Sequence, residues 1–112
     1  MDDARARQLL GEERTRVEGL LRDLTEASEE DRATTRDTGD YADPAQPLTD
    51  EQGTDAIAAG LRDRLAAIER AEARLENGSY GLSVKSGDPI PDERLEADPA
   101  AELTVAEEAT AR

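Results

Sequence analysis

Apolar residues in this chain recur at helical spacing along two narrow stripes. The first is Ala6, Leu10, Val17, Leu20 and Leu24, with Glu13 in its one polar slot. The second is Ala58, Leu61, Leu65, Ile68 and Leu75, with Glu72 in the corresponding slot. Both advance by alternating steps of three and four, and that average of about 3.5 residues is the spacing of a coiled-coil seam. Leu9 and Leu21 widen the first stripe. A stripe of this width lets a helix bury one face against a partner helix. The composition permits little else, because the 112 residues include no Trp and no Phe and are only 2% aromatic. A broad core of large side chains cannot be assembled from such a set.

The segment boundaries follow from local chemistry. Asp2 to Glu29 contains no Pro, although Gly11 and Gly19 each weaken a helix by about 1 kcal/mol relative to Ala. A second helix is expected from Thr49 or Asp50, either of which can cap it, to Glu76. There Asn77-Gly78 supplies residues that tolerate left-handed backbone. Between them, Glu30 to Leu48 carries Gly39, Pro44, Pro47 and a run of Asp and Thr, the composition of a loop. Residues 1–76 are thus expected to form a long antiparallel coiled-coil hairpin with a tip loop at about 30–48. The remainder, 77–112, holds Gly78, Gly81, Gly87, Pro89, Pro91 and Pro99 among scattered apolar residues. It predicts a small knob of turns and short strands that closes on a short C-terminal helix from about Val105. The fold class is mainly α.

Charge removes several functions. With 28 acidic and 14 basic residues the net charge is −14, which repels a phosphate backbone, so direct DNA binding is not expected. Absence of Cys excludes disulfides, Cys-ligated zinc and thiol nucleophiles, and absence of His removes the commonest general base and metal ligand. No stretch approaches the roughly 20 apolar residues of a membrane span, and Met1-Asp2-Asp3 does not open a signal peptide. Carboxylates are plentiful, but no nucleophile–base pair is visible, and Ser83 and Ser86 have no His partner. The expectation is a cytoplasmic protein that is not an enzyme and uses no cofactor.

The informative run lies at the end of the second helix and beyond it. It reads Arg74-Leu75-Glu76-Asn77-Gly78-Ser79-Tyr80-Gly81, then Gly87-Asp88-Pro89-Ile90-Pro91, then Arg94-Leu95-Glu96-Ala97-Asp98-Pro99. In order and in spacing these pieces resemble the DksA/TraR family of bacterial RNA-polymerase regulators, whose architecture is a helical hairpin followed by a zinc knuckle. The resemblance places Ser83, Ser86, Thr104 and Glu107 at the four positions where the family has its zinc thiolates. Neutral hydroxyls are poor zinc ligands. The knob is therefore zinc-finger-like without metal, expected to close through Tyr80, Leu82, Ile90, Leu95 and Leu103, with the hydroxyls bonding to nearby turns.

The resemblance also implies a role for the tip, because the family presents an Asp-x-x-Asp-x-Ala motif there. The matching stretch is Asp40-Tyr41-Ala42-Asp43-Pro44-Ala45, in which Asp40, Asp43 and Ala45 agree. The implied partner is RNA polymerase, bound by a monomer whose acidic tip enters the secondary channel near the catalytic magnesium. Asp40 and Asp43 equally suit plain turn positions. Some family members act jointly with the alarmone (p)ppGpp through basic residues. The corresponding positions here are Asp98, Ala67 and Glu108, with Arg94 and Lys85 nearby, which implies action without the alarmone. Two other functions fit the residues: an adaptor that dimerises through the seam, and an acidic mimic of nucleic acid. Activation versus inhibition, and the target promoters, stay open.

Overall fold

A computed structural model describes the backbone of residues 1–38 and 45–110 and the side chains of residues 1–27 and 53–110. The chain is mainly helical: α1 spans Asp3–Thr38, α2 Ala45–Asn77, α3 Asp92–Ala97 and α4 Val105–Thr110. Asp2 caps α1, its carboxylate accepting the Arg5 amide at 2.7 Å. At the far end of α2 the Ser79 amide reaches back to the Arg74 carbonyl at 2.9 Å, across Gly78 at φ 84°. This is a Schellman stop, placed where Asn77-Gly78 predicts it.

Contacts divide the chain into two units, one made of Met1–Thr15 with Leu65–Arg112 and the other of Arg16–Arg64. In the first unit, α1 and α2 run antiparallel. Arg7 pairs with Glu76 at 4.0 Å, whereas Arg14, two turns further along α1, pairs with Glu69 at 3.9 Å and with Glu72. Ala6 and Leu10 of α1 and Ile68, Ala71 and Leu75 of α2 are buried there. The polar slot at Glu72 is half-buried and holds the Arg14 guanidinium, so the seam contains an ion pair at that level. In the second unit the buried seam residues among those described are Val17 of α1 and Ala58 of α2.

Several expectations are corrected. The tip loop is shorter than 30–48, because α1 continues to Thr38 and α2 begins at Ala45. Extending an existing helix through polar residues costs only tenths of a kcal/mol per residue, and Pro47 falls in the first turn of α2, where its missing N–H had no helical partner. Leu20 is 44% exposed, and the half-buried residues are Leu21 and Leu24. A helix turning every 3.6 residues drifts away from a 3.5-residue seam, so the stripe passes from Val17 to Leu21. Short strands beyond α2 are replaced by a single bridge between Leu82 and Pro89. In their place stands α3, which buries Leu95 and carries Asp92 and Glu93 in its first turn. Leu82 is no core residue, being 39% exposed. Side chains alternate along extended backbone, and Ser83, only 4% exposed, takes the inward position.

The apolar cluster of the C-terminal region is Ile90, Leu95 and Ala101, with Met1 and Tyr80 packed against it. Leu103 is half-buried. The Tyr80 hydroxyl donates to the Pro99 carbonyl at 2.8 Å, and burial pushes its pKa up, so it stays a donor.

Candidate functional site

The four positions aligned with zinc thiolates form two pairs, Ser83 with Ser86 in one turn and Thr104 with Glu107 at the start of α4. Ser83 lies just after the bridge, where the backbone turns. Its amide donates to the Asp88 carbonyl at 2.8 Å, and its own carbonyl accepts the Gly87 amide at 2.9 Å. Inside that turn the Ser83 hydroxyl accepts the amides of Lys85 and Ser86 at 3.1 and 3.2 Å. Gly87 closes the turn at φ 79°, a conformation open to glycine at little cost.

Across from the turn, Thr104 and Glu107 form a capping box at the start of α4. The Thr104 amide donates to Glu107 Oε1 at 3.0 Å, and the Glu107 amide donates back to Thr104 Oγ1 at 3.2 Å. The Ser83 hydroxyl foremost, then the Thr104 amide, with the hydroxyls of Ser86 and Thr104 after them, favour the ionised carboxylate and hold its pKa down at about 2, against 4.5 for a free glutamate. A backbone bond runs alongside, from the Val84 amide to the Glu102 carbonyl at 2.8 Å.

This donor set does not suit the zinc that the family implies. Three of the four side chains are neutral hydroxyls, and the one carboxylate already accepts the Thr104 amide. Zinc is held by thiolates, imidazoles and carboxylates. Among the described residues, no group of three or more His, Cys, Asp or Glu side chains is arranged to hold a metal ion.

Other charged residues fasten the C-terminal region to the helices, and none of these pairings is legible in the sequence. Glu102 accepts both Nε and Nη2 of Arg70, at 3.2 and 2.7 Å, and lies 3.9 Å from Arg74. The buried Arg74 Nε has no hydrogen-bond partner. Arg5 grips Glu96 with two bonds of 2.9 and 2.7 Å, and this pairing lowers the Glu96 pKa. Arg94 donates Nε to the Leu103 carbonyl at 3.1 Å and pairs with Glu108. Residues 5 and 96, or 70 and 102, stand too far apart in sequence for charge pattern alone to match them.

The tip residues are placed differently. Asp40 and Asp43 lie outside the described residues, and Ala45 is the first residue of α2, its side chain outside the described set. Of the alarmone positions, Glu108 is engaged by Arg94, and Asp98 accepts the Ala100 amide at 3.3 Å. Ala67 is half-buried on α2, and Lys85 is exposed. Among the described residues no helix is long and apolar enough to cross a membrane.

Comparison with known proteins gives the following. The chain is 36% identical over 92 residues to proteins named RNA polymerase-binding transcription factor DksA in two strains of Caulobacter vibrioides, covering 79% of this chain and 62% of theirs. It therefore spans less than two thirds of the length of these relatives. General stress protein 16O of Bacillus subtilis is 38% identical over 64 residues, covering 57% of this chain and 39% of that protein. The solved structure of transcription factor DksA2 from Pseudomonas aeruginosa superposes with a TM-score of 0.57 at 24% identity, covering 99% of this chain and 89% of that one, and this likeness concerns the fold. No family model matches the chain.

Proposed function

Because the chain belongs to the DksA/TraR family, we propose that it is a transcription regulator that binds RNA polymerase and acts through the polymerase secondary channel. The observation that carries this reading is the 36% identity over 92 residues to factors named for RNA polymerase binding. Two physical features support it. Helices of 36 and 33 residues are each about 50 Å long, the slender element that a pore admits. A net charge of −14 opposes direct DNA binding, which leaves a protein partner.

In this reading Asp40 and Asp43 act at the polymerase catalytic centre by charge and hydrogen bonding, with Ala45 completing the tip. The flanks of the helices supply the binding surface. The C-terminal region stays outside the channel and sets the insertion depth. The protein works as a monomer in the cytoplasm, where its partner is, and it catalyses no reaction itself.

The test compares wild type with Asp40→Asn/Asp43→Asn for affinity to purified RNA polymerase and for effect on transcription in vitro. Loss of the transcriptional effect with affinity held within a few fold is the expected result. Full activity in the double variant refutes the tip assignment. Failure of the wild type to bind polymerase, together with a dimeric mass in light scattering, replaces the whole reading with that of a coiled-coil adaptor.

A further inference from the structure

We propose that Glu102 is a positioning residue: as counter-charge to the buried Arg74, it locks the C-terminal region onto α2. The lock lies within one compact unit of the chain, made of Met1–Thr15 and Leu65–Arg112. Its consequence for partner binding rests on the polymerase reading above, whereas the lock itself does not.

Two arginines one turn apart on α2 meet the Glu102 carboxylate, and distance and burial rank them in opposite orders. Arg70 is the nearer, donating Nε and Nη2 to Oε1 at 3.2 and 2.7 Å, but its side chain is 55% exposed. Arg74 Nη1 stands 3.9 Å from Oε2, and the Arg74 side chain is only 13% exposed. Its Nε is buried without a hydrogen-bond partner. Among the described residues, Glu102 is the one carboxylate within 4.0 Å of Arg74. An exposed ion pair contributes little even with short bonds, because water solvates both charges nearly as well. A buried guanidinium differs, since it cannot release its proton and its charge needs a counter-charge. Burial therefore outranks distance, and Arg74 sets the worth of Glu102.

The main chain of Glu102 carries the lock further. Its carbonyl accepts the Val84 amide at 2.8 Å, which joins it to the 83–88 turn. Its neighbours are fastened as well: Ala101 lies in the apolar cluster, and the Leu103 carbonyl accepts Arg94 Nε at 3.1 Å. The turn is braced internally by the bonds of Ser83 to Asp88 and Gly87, so it follows residue 102 as a unit. Leu82, Val84 and Lys85 are exposed there. Among the described residues of this unit, Arg5, Arg7, Arg14, Arg70, Arg74 and Arg94 all form ion pairs within the chain, and Lys85 alone does not. Glu102 thus fixes where the C-terminal region offers a free cation and two exposed apolar side chains to a partner.

Amide hydrogen exchange on the full chain tests this ranking. Glu102→Gln keeps an oxygen for Arg70 but removes the charge that balances Arg74. Exchange at the Ser83 and Val84 amides is expected to rise about tenfold or more, as for a buried charge left uncompensated. In Arg70→Ala it should rise less than about threefold, as for loss of an exposed pair. Arg74→Met/Glu102→Gln removes both charges and should return exchange close to the wild-type rate. If Glu102→Gln alone does not fold, recovery of the fold in that double variant is the expected result. Equal acceleration in Glu102→Gln and Arg70→Ala, or no recovery in the double variant, overturns the lock. Affinity for purified RNA polymerase should fall in Glu102→Gln and return in the double variant. Unchanged affinity in a Glu102→Gln chain whose exchange has risen overturns the positioning role. Failure of the wild type to bind polymerase overturns the polymerase reading instead, and exchange still decides the lock.

Discussion

Leu82 and Leu95 make a controlled comparison, because the same truncation is applied to two leucines only 13 positions apart that the structure treats in opposite ways. Leu95 on α3 is 1% exposed and sits in the cluster with Ile90 and Ala101. Truncation to Ala at a fully buried site costs about 2–5 kcal/mol, depending on how far the surroundings collapse into the space. Here Met1 and Tyr80, both partly buried, line the cluster and are able to relax. The lower half of the range therefore applies, about 2–3 kcal/mol. For a domain of this size that corresponds to a fall in Tm of about 8–12 °C. Leu82 is 39% exposed, so Leu82→Ala should cost less than about 1 kcal/mol. Urea unfolding of the full chain, followed by circular dichroism, measures both. Equal costs for the two variants, or a Leu95→Ala cost below about 1 kcal/mol, would show that the C-terminal region lacks the packed cluster described above.

Gly78→Ala should destabilise by about 1 kcal/mol, read as a lower urea midpoint, because φ 84° is forced on a residue with a Cβ although nothing lies within 4 Å to clash with it. The stability that Glu107 contributes has a defined pH window. Its folded pKa lies below its unfolded value, so the contribution is complete above about 4.5 and is lost as pH falls towards about 2. The stability difference between wild type and Glu107→Gln should therefore shrink across that window in acid titration, and a constant difference would contradict the assignment. Finally, transcription assays at fixed protein concentration should show no synergy with (p)ppGpp, because Asp98 and Glu108 are acidic and the nearby Arg94 is held by Glu108. Clear synergy would refute that reading.

The long helices were legible because their determinants are local. The stripe at Ala6, Leu10 and Val17, and the stop at Asn77-Gly78, each depend on residues within a few turns of one another. Leu20 was misplaced because a 3.5-residue count, extended over several turns, outruns the 3.6-residue helix that the chain forms. The α3 helix was overlooked because six residues give too short a window for periodicity. Its signal was Pro91 followed by Asp92 and Glu93, a helix start. Family spacing alone identified Ser83, Ser86, Thr104 and Glu107 as a group. The capping box at Thr104 and Glu107 was overlooked, although its Thr-x-x-Glu spacing stands in the sequence. Pairings such as Arg5 with Glu96 and Arg70 with Glu102 had no sequence signal, since 28 carboxylates offer too many partners.

The central claim is that the tip between α1 and α2 enters the secondary channel of RNA polymerase. A photo-crosslinking amino acid at Tyr41, between Asp40 and Asp43, tests it most directly when the protein is irradiated in complex with core polymerase and the adducts are mapped by mass spectrometry. The account predicts adducts in the polymerase segments that line the channel and surround the catalytic magnesium, lost when a pore-blocking competitor is added. Adducts confined to the outer surface of the polymerase, or none in a complex that demonstrably forms, would contradict it.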